Sequence, residues 1–205
     1  MQQRPNIVFY FSDQQRWDTL GCYGQRLDVT PNLDALAAGG TRYENAFTCQ
    51  PVCGPARACL QTGRYATEIG CEINGFALPF GRVKTLAQCF NEAGYATGYV
   101  GKWHLATDRL AGIDYEQSAI PAERRGGYKD YWMAADVLEF TSHGYNGYVY
   151  NADNERVPFM GYRADCINNF AIDFLHGRKE QVEPFFLFIS QIEPHHQNDR
   201  RRYEG

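Results

Sequence analysis

Cys53 and Arg57 are the residues in this chain with the clearest capacity for chemistry. They stand four positions apart with Pro55 between them. A proline fits the first turn of a helix, and the free N–H groups of that turn favour negative charge. A cysteine placed there, with a guanidinium nearby, is expected to have its thiol pKa lowered toward a reactive thiolate. Two better-known uses of cysteine do not fit. A phosphatase loop needs five residues between Cys and Arg, whereas Cys59 and Arg64 enclose four and Cys53 and Arg57 enclose three. A zinc site from Cys49, Cys53, Cys59 and Cys71 lacks the paired Cys-x2-Cys spacing. Cys22, Cys71, Cys89 and Cys166 read as small core residues.

The elements that must position such groups can be read from apolar patterning. Residues 6–12 (Asn-Ile-Val-Phe-Tyr-Phe-Ser) form a nearly continuous apolar run, the pattern of a strand buried on both faces. Thr30-Pro31 opens a helix over 30–38 that Gly39-Gly40 stops. A short strand is expected over 42–47, and a helix over about 55–62. Thr85 caps a helix over 85–93 closed by Gly94, and 95–100 reads as the next strand. A helix over about 162–176 follows, with Cys166, Phe170 and Phe174 beside Ile167, Ala171 and Leu175 at helical spacing. Residues 185–190 make the last strand. Between about 106 and 160 the pattern weakens, and that stretch reads as an irregular excursion lining a cleft. Alternating strand and helix predict an α/β fold with a largely parallel sheet flanked by helices.

Three of these strands run at their carboxyl ends into Ser12-Asp13-Gln14, Gly101-Lys102-Trp103-His104 and Glu193-Pro194-His195-His196. Ligands of open α/β sheets bind outside the carboxyl ends of the strands, so these loops should converge. That rule alone nominates Asp13, Lys102, His104 and His195. His143 and His176 read as structural.

Cys53-Gly-Pro-Ala-Arg57 also matches Cys-x-Pro-x-Arg. Preceded by Asn6-Ile-Val-Phe-Tyr-Phe-Ser-Asp13-Gln14-Gln15-Arg16-Trp-Asp18 and followed by Gly101-Lys-Trp-His-Leu105, it resembles the N-terminal half of the formylglycine-dependent sulfatases of the alkaline phosphatase superfamily. The resemblance runs from about Arg4 to the last residues and implies an alkaline-phosphatase-like fold. It implies that a formylglycine-generating maturation enzyme converts Cys53 to an aldehyde, whose hydrate attacks the sulfur of a sulfate ester. Arg57, Lys102 and His104 would orient that hydrate and bind sulfate oxygens, a task suited to a guanidinium and an ammonium. His195, or His196 in its place, would protonate the leaving alkoxide. Asp13, Gln14 and the residue at Cys53 would bind calcium or another divalent cation. Gln14 departs from the family, which usually has a second aspartate there; its amide oxygen can ligate a hard ion but brings no charge.

The remaining family ligands, an Asp with an Asn or His, would lie beyond Gly205. Residues 1–205 therefore read as the N-terminal portion of a sulfatase catalytic domain, apparently truncated, and this chain alone is expected to be inactive or nearly so. The substrate implied is a small-molecule or carbohydrate sulfate ester. Alternatives are a phosphonate or phosphate diester hydrolase of the same superfamily, or a non-catalytic anion-binding fragment.

Bulk properties set outer limits. The 205 residues are 44% hydrophobic and 21% charged, ordinary for a globular domain. A net charge of −4 leaves no basic footprint for nucleic acid, and Arg200-Arg201-Arg202 is flanked by Asp199 and Glu204. No apolar run approaches membrane-spanning length. The absence of a signal peptide and seven irregularly spaced cysteines point to reduced thiols and a cytoplasmic location, or a periplasmic or secreted one if the N-terminus is incomplete. The 14 Tyr, 13 Phe and 3 Trp are expected to pack first, with sugar stacking as the second use.

Overall fold

The computed structural model describes residues 4–196. The basic run at 200–202 and the chain ending lie outside them. Six strands form one sheet: β1 (Ile7–Phe11), β2 (Ala96–Lys102), β3 (Tyr131–Ala135), β4 (Asn146–Tyr150), β5 (Arg156–Met160) and β6 (Phe185–Ser190). The helices are α1 (Pro31–Gly39), α2 (Cys53–Thr62), α3 (Ala66–Ile69), α4 (Leu86–Glu92), α5 (Leu138–Thr141) and α6 (Arg163–Gly177). Strand order is β1-β6-β2-β3-β4-β5, with β1, β6, β2 and β3 parallel and β4 and β5 antiparallel. The sheet is thus mixed.

Alternation along the central strands builds a core on each face of the sheet. Phe186 and Phe188 of β6 join Tyr99, Trp103, Tyr128 and Trp132 on one side. There Tyr99 stacks on Phe188 at 5.2 Å and Phe9 on Phe188 at 4.7 Å. Phe185, Leu187 and Ile189 face the other side, with Ile167, Ala171 and Phe174 of α6. These aromatic residues pack, as the first reading of their abundance expects. Thr85 closes the start of α4 with a full capping box, accepting from the Gln88 N–H while the Gln88 side chain accepts from its own.

Register explains why three loops meet. Phe11 pairs with Ser190, and Ser190 with Gly101, so β1, β6 and β2 end on one row. Asp13, Lys102 and His195 leave from that row or just beyond it.

Several sequence expectations are corrected. β1 is an edge strand, and Val8 is 49% and Tyr10 53% exposed on the face where α6 reaches Tyr10 through Asn168 Oδ1, which accepts from its hydroxyl at 3.1 Å, without covering the strand. Residues 42–47 carry no strand: Tyr43, Ala46 and Phe47 do not alternate, and the segment pairs with no described strand. The supposed excursion contains β3, β4, β5 and α5, whose elements of four or five residues are too short to show a period. Helix α2 starts at Cys53 rather than Pro55. The buried stripe of α6 is Ile167, Ala171 and Phe174, and Leu175 stays 36% exposed. Of the cysteines read as core, Cys71 is buried, Cys22 and Cys166 are partly buried, and Cys89 is exposed on α4. No helix among the described residues is long and apolar enough to cross a membrane.

Candidate active site

Asp13 is the hub of the site. It follows β1 and is buried, and its Oδ2 accepts from Lys102 Nζ at 2.9 Å and Arg57 Nη2 at 3.1 Å. Burial alone would raise its pKa, but the charges and hydrogen bonds of Lys102 and Arg57 outweigh that and hold the carboxyl down at about 2. Its Oδ1 accepts from Cys53 Sγ at 3.7 Å.

Cys53 is the first residue of α2, and Val52 before it provides no side-chain cap. The next N–H, of Gly54, donates to Asn74 Oδ1 at 2.8 Å. Space at Gly54 is tight, since a Cβ would lie 3.1 Å from Asn74 Oδ1 and 3.4 Å from the His104 carbonyl. The thiol does not behave as its sequence position suggests. Burial pushes its pKa up, Lys102 and Arg57 pull it down, and Asp13 and Glu139 push it up again, leaving it raised. The expectation of a thiolate is therefore corrected: the helix terminus is countered by desolvation and by two carboxylates.

One turn later on α2, Arg57 is buried across the carboxyl ends of the central strands. Its Nη1 donates to the Lys102 carbonyl at 2.8 Å and to Ser190 Oγ at 2.5 Å, and its guanidinium lies 5.1 Å from the centre of the Phe11 ring. Lys102 ends β2 with its ammonium fully buried, between Asp13 and Glu139 Oε1 at 2.5 Å. His104 takes a left-handed backbone (φ 58°), and its N–H donates to the Asp136 carbonyl at 2.7 Å. Burial, then Lys102 and Arg57, hold its imidazole down at about 3, so it is neutral near pH 7. Its Nδ1 is buried and finds no hydrogen-bond partner among the described residues.

His195 sits after β6, its Nε2 3.7 Å from Glu139 Oε1. Two residues before it, Glu193 pairs with buried Arg163 of α6 at 2.8 Å, which ties this loop to the helix. Ligand atoms of Asp13, Cys53 and His195 all lie within 4.8 Å of one another. Gln14 borders the same space, with φ 59°, and its Oε1 accepts from the His196 N–H at 3.1 Å.

These groups open on a cleft of about 1020 Å³ lined by Asp13, Gln14, Cys53, Arg57, Asn74 and His195, together with Phe47 and Cys49. Of the residues nominated from sequence, Asp13, Gln14, Cys53, Arg57 and His195 border it; buried Lys102 and partly buried His104 do not. A second hollow of about 710 Å³, beside Arg26, Asp34 and Arg42, contains none of them.

As a thiol, Cys53 with Asp13 and His195 makes a donor set for a borderline ion such as zinc. A hard cation is served by the Asp13 carboxylate, which stays ionised, and the Gln14 amide oxygen, and by position 53 only once oxygen replaces its sulfur. With that replacement the residues fit part of a hard-cation shell.

Sequence reasoning missed Ser190, Asn74 and Glu139. Ser190 ends the last strand, so the carboxyl-end rule could have found it. Glu139 follows β3, and the same rule would have reached it had that five-residue strand been legible.

Comparison with known proteins places this arrangement. The Sulfatase family model matches residues 5–205. An uncharacterized sulfatase of Escherichia coli K12, YidJ, is 38% identical over 204 residues, covering 95% of this chain and 39% of its own. The structure of BT4656 in complex with its substrate D-glucosamine-2-N,6-O-disulfate superposes with a TM-score of 0.77 at 30% identity, covering 94% of this chain and 35% of its own. The phosphonate monoester hydrolase of Agrobacterium radiobacter shares the fold, with a TM-score of 0.63 at 23% identity over 94% of this chain and 42% of its own. The chain thus spans about two-fifths of the length of the curated relative it matches.

Proposed function

This chain belongs to the sulfatase family, and from that premise we propose that its protein hydrolyses organic sulfate esters, with Cys53 as the precursor of the nucleophile. One observation carries the reading: Asp13, Arg57, Lys102 and His195 gather from four separate segments around Cys53, at the carboxyl ends of the parallel strands. Formylglycine at position 53, made by a maturation enzyme, would supply a hydrated aldehyde as nucleophile, and a divalent cation held by Asp13 and Gln14 would neutralise charge there.

The chain's own residues then have separable tasks. Asp13, ionised at any working pH, fixes the directions of Arg57 and Lys102. Those two cations stabilise negative charge developing on the sulfate oxygens inside a site of low dielectric. Arg57 also locks the end of β2 to Ser190, so the ammonium and the nucleophile keep a fixed separation. His104, partly buried and neutral, is suited to hydrogen-bonding the hydrate without adding charge. His195, at the cleft surface, is placed to give a proton to the departing alkoxide as the S–O bond breaks. The bound sulfated sugar of BT4656 supports a carbohydrate sulfate as the substrate.

The test is turnover of 4-nitrophenyl sulfate and of sulfated glucosamines by protein co-expressed with a formylglycine-generating enzyme. Sulfate release that Cys53→Ala abolishes is the expected result. Turnover that survives Cys53→Ala would remove Cys53 from the chemistry.

A further inference from the structure

Glu139 stands in the first turn of α5, just beyond β3 at the carboxyl edge of the sheet. Its Oε1 accepts from Lys102 Nζ at 2.5 Å and lies 3.7 Å from His195 Nε2. Lys102 is therefore shared between two carboxylates, the other being Asp13 at 2.9 Å. Ion pairs link the cations Arg57 and Lys102 to the anions Asp13 and Glu139. Asp13 has an evident task in orienting both cations. Glu139 holds Lys102 and lies 3.7 Å from His195, which lines the cleft, so its negative charge stands within several ångströms of an anion bound there.

The cost of that charge depends on the substrate. Repulsion between a fixed carboxylate and a bound anion scales with the anion's charge, so it doubles from a monoanion to a dianion. A sulfate monoester carries one negative charge; a phosphate monoester at pH 8 carries close to two, its second pKa being about 6. The two are otherwise alike in shape and in the oxygens they offer.

We propose that Glu139 is the charge filter of this site, favouring singly charged sulfate monoesters over doubly charged phosphate monoesters while tethering Lys102. The inference rests on the sulfatase reading for which ester is the natural substrate. A divalent cation bound alongside adds the same charge to wild type and variant, so the effect of Glu139 survives as a difference between them.

The experiment compares kcat/KM for 4-nitrophenyl sulfate and 4-nitrophenyl phosphate at pH 8, using mature full-length protein. Glu139→Gln keeps an oxygen for Lys102 but removes the charge. The phosphate-to-sulfate ratio is expected to rise about tenfold or more, mainly through KM, as for one charge acting over several ångströms at an effective dielectric near 20. Glu139→Asp should return the ratio to the wild-type value, and Glu139→Ser is a second neutral variant should Glu139→Gln fail to fold. An unchanged ratio, or equal losses on both esters, would overturn the proposal and leave Glu139 as a tether for Lys102. If the wild type turns over neither ester, the sulfatase reading fails separately. Dissociation constants of methyl sulfate and methyl phosphate for the thiol form then carry the same comparison: a preferential gain for the phosphate in Glu139→Gln supports the filter, and parallel changes refute it.

Discussion

Buried Asp13 and partly buried His104, its Nδ1 shut off from solvent, shape the acid behaviour of this chain because each is held in one charge state. The His104 imidazole is held at about 3 against an ordinary 6.5, so the unfolded chain binds its proton more readily than the folded one. Its contribution to stability is complete above pH 6.5 and is lost as pH falls from there toward 3, at up to about 1.4 kcal/mol per pH unit. Asp13 is held at about 2 against 3.8, so its contribution is present above 3.8 and is lost as pH falls through 2. Urea midpoints should therefore drop first below pH 6.5 and steepen further below pH 4. His104→Gln should flatten the upper limb. Asp13→Asn should destabilise at neutral pH by about 3 kcal/mol or more, since two buried cations lose their shared partner. A midpoint independent of pH from 7 to 4 would contradict the lowered pKa of His104. At this scale Cys53, Arg57, Lys102 and His104 were legible because their local motifs and the strand-end rule point to one place. Glu139 and the raised thiol pKa of Cys53 were not, since both depend on neighbours distant in sequence.

Among the elements, the junction of β2 and β6 carries the site. Gly101 has φ 102°, and a Cβ there would lie 2.0 Å from the Ser190 carbonyl oxygen, on the row where Arg57 joins the two strands. That contact is with backbone, which cannot step aside as a side chain can. Gly101→Ala is expected to cost about 3 kcal/mol or more from positive φ and the clash together, read as a lowered urea midpoint. Wild-type stability in that variant would mean the strands pair differently. Long elements were legible: α6 by its helical stripe, β6 as the unbroken run Phe185–Ser190, and α4 by Thr85 with Gln88. β3 was not, because Tyr131–Ala135 is five residues ending in two alanines, and the antiparallel β4–β5 pair is held by partners rather than by its own pattern. Residues 42–47 failed in the opposite sense: Tyr43, Ala46 and Phe47 suggested a strand without period-2 spacing, and no described strand pairs with them.

For the molecule as a whole, the sheet has an open side. β1 is terminal in the strand order, and Val8 on it is 49% exposed. An edge strand with apolar side chains facing water invites pairing with another chain. The 205-residue chain is expected to self-associate in sedimentation at micromolar concentration, and Val8→Lys to reduce that association; a monodisperse monomer for both would contradict it. The overall α/β architecture was legible from alternating strands and helices, whereas the exposed face of β1 was not, because a run of apolar residues does not reveal whether anything covers it. The convergence of separate segments on Cys53 is a property of the whole fold, and the proposed hydrolysis requires that residue to be chemically transformed. Its most direct test is peptide mass spectrometry across Cys53 after co-expression with a formylglycine-generating enzyme. An aldehyde at position 53 that a hydrazide traps is the predicted result; an unmodified thiol under a maturation system that converts a control sulfatase would contradict it.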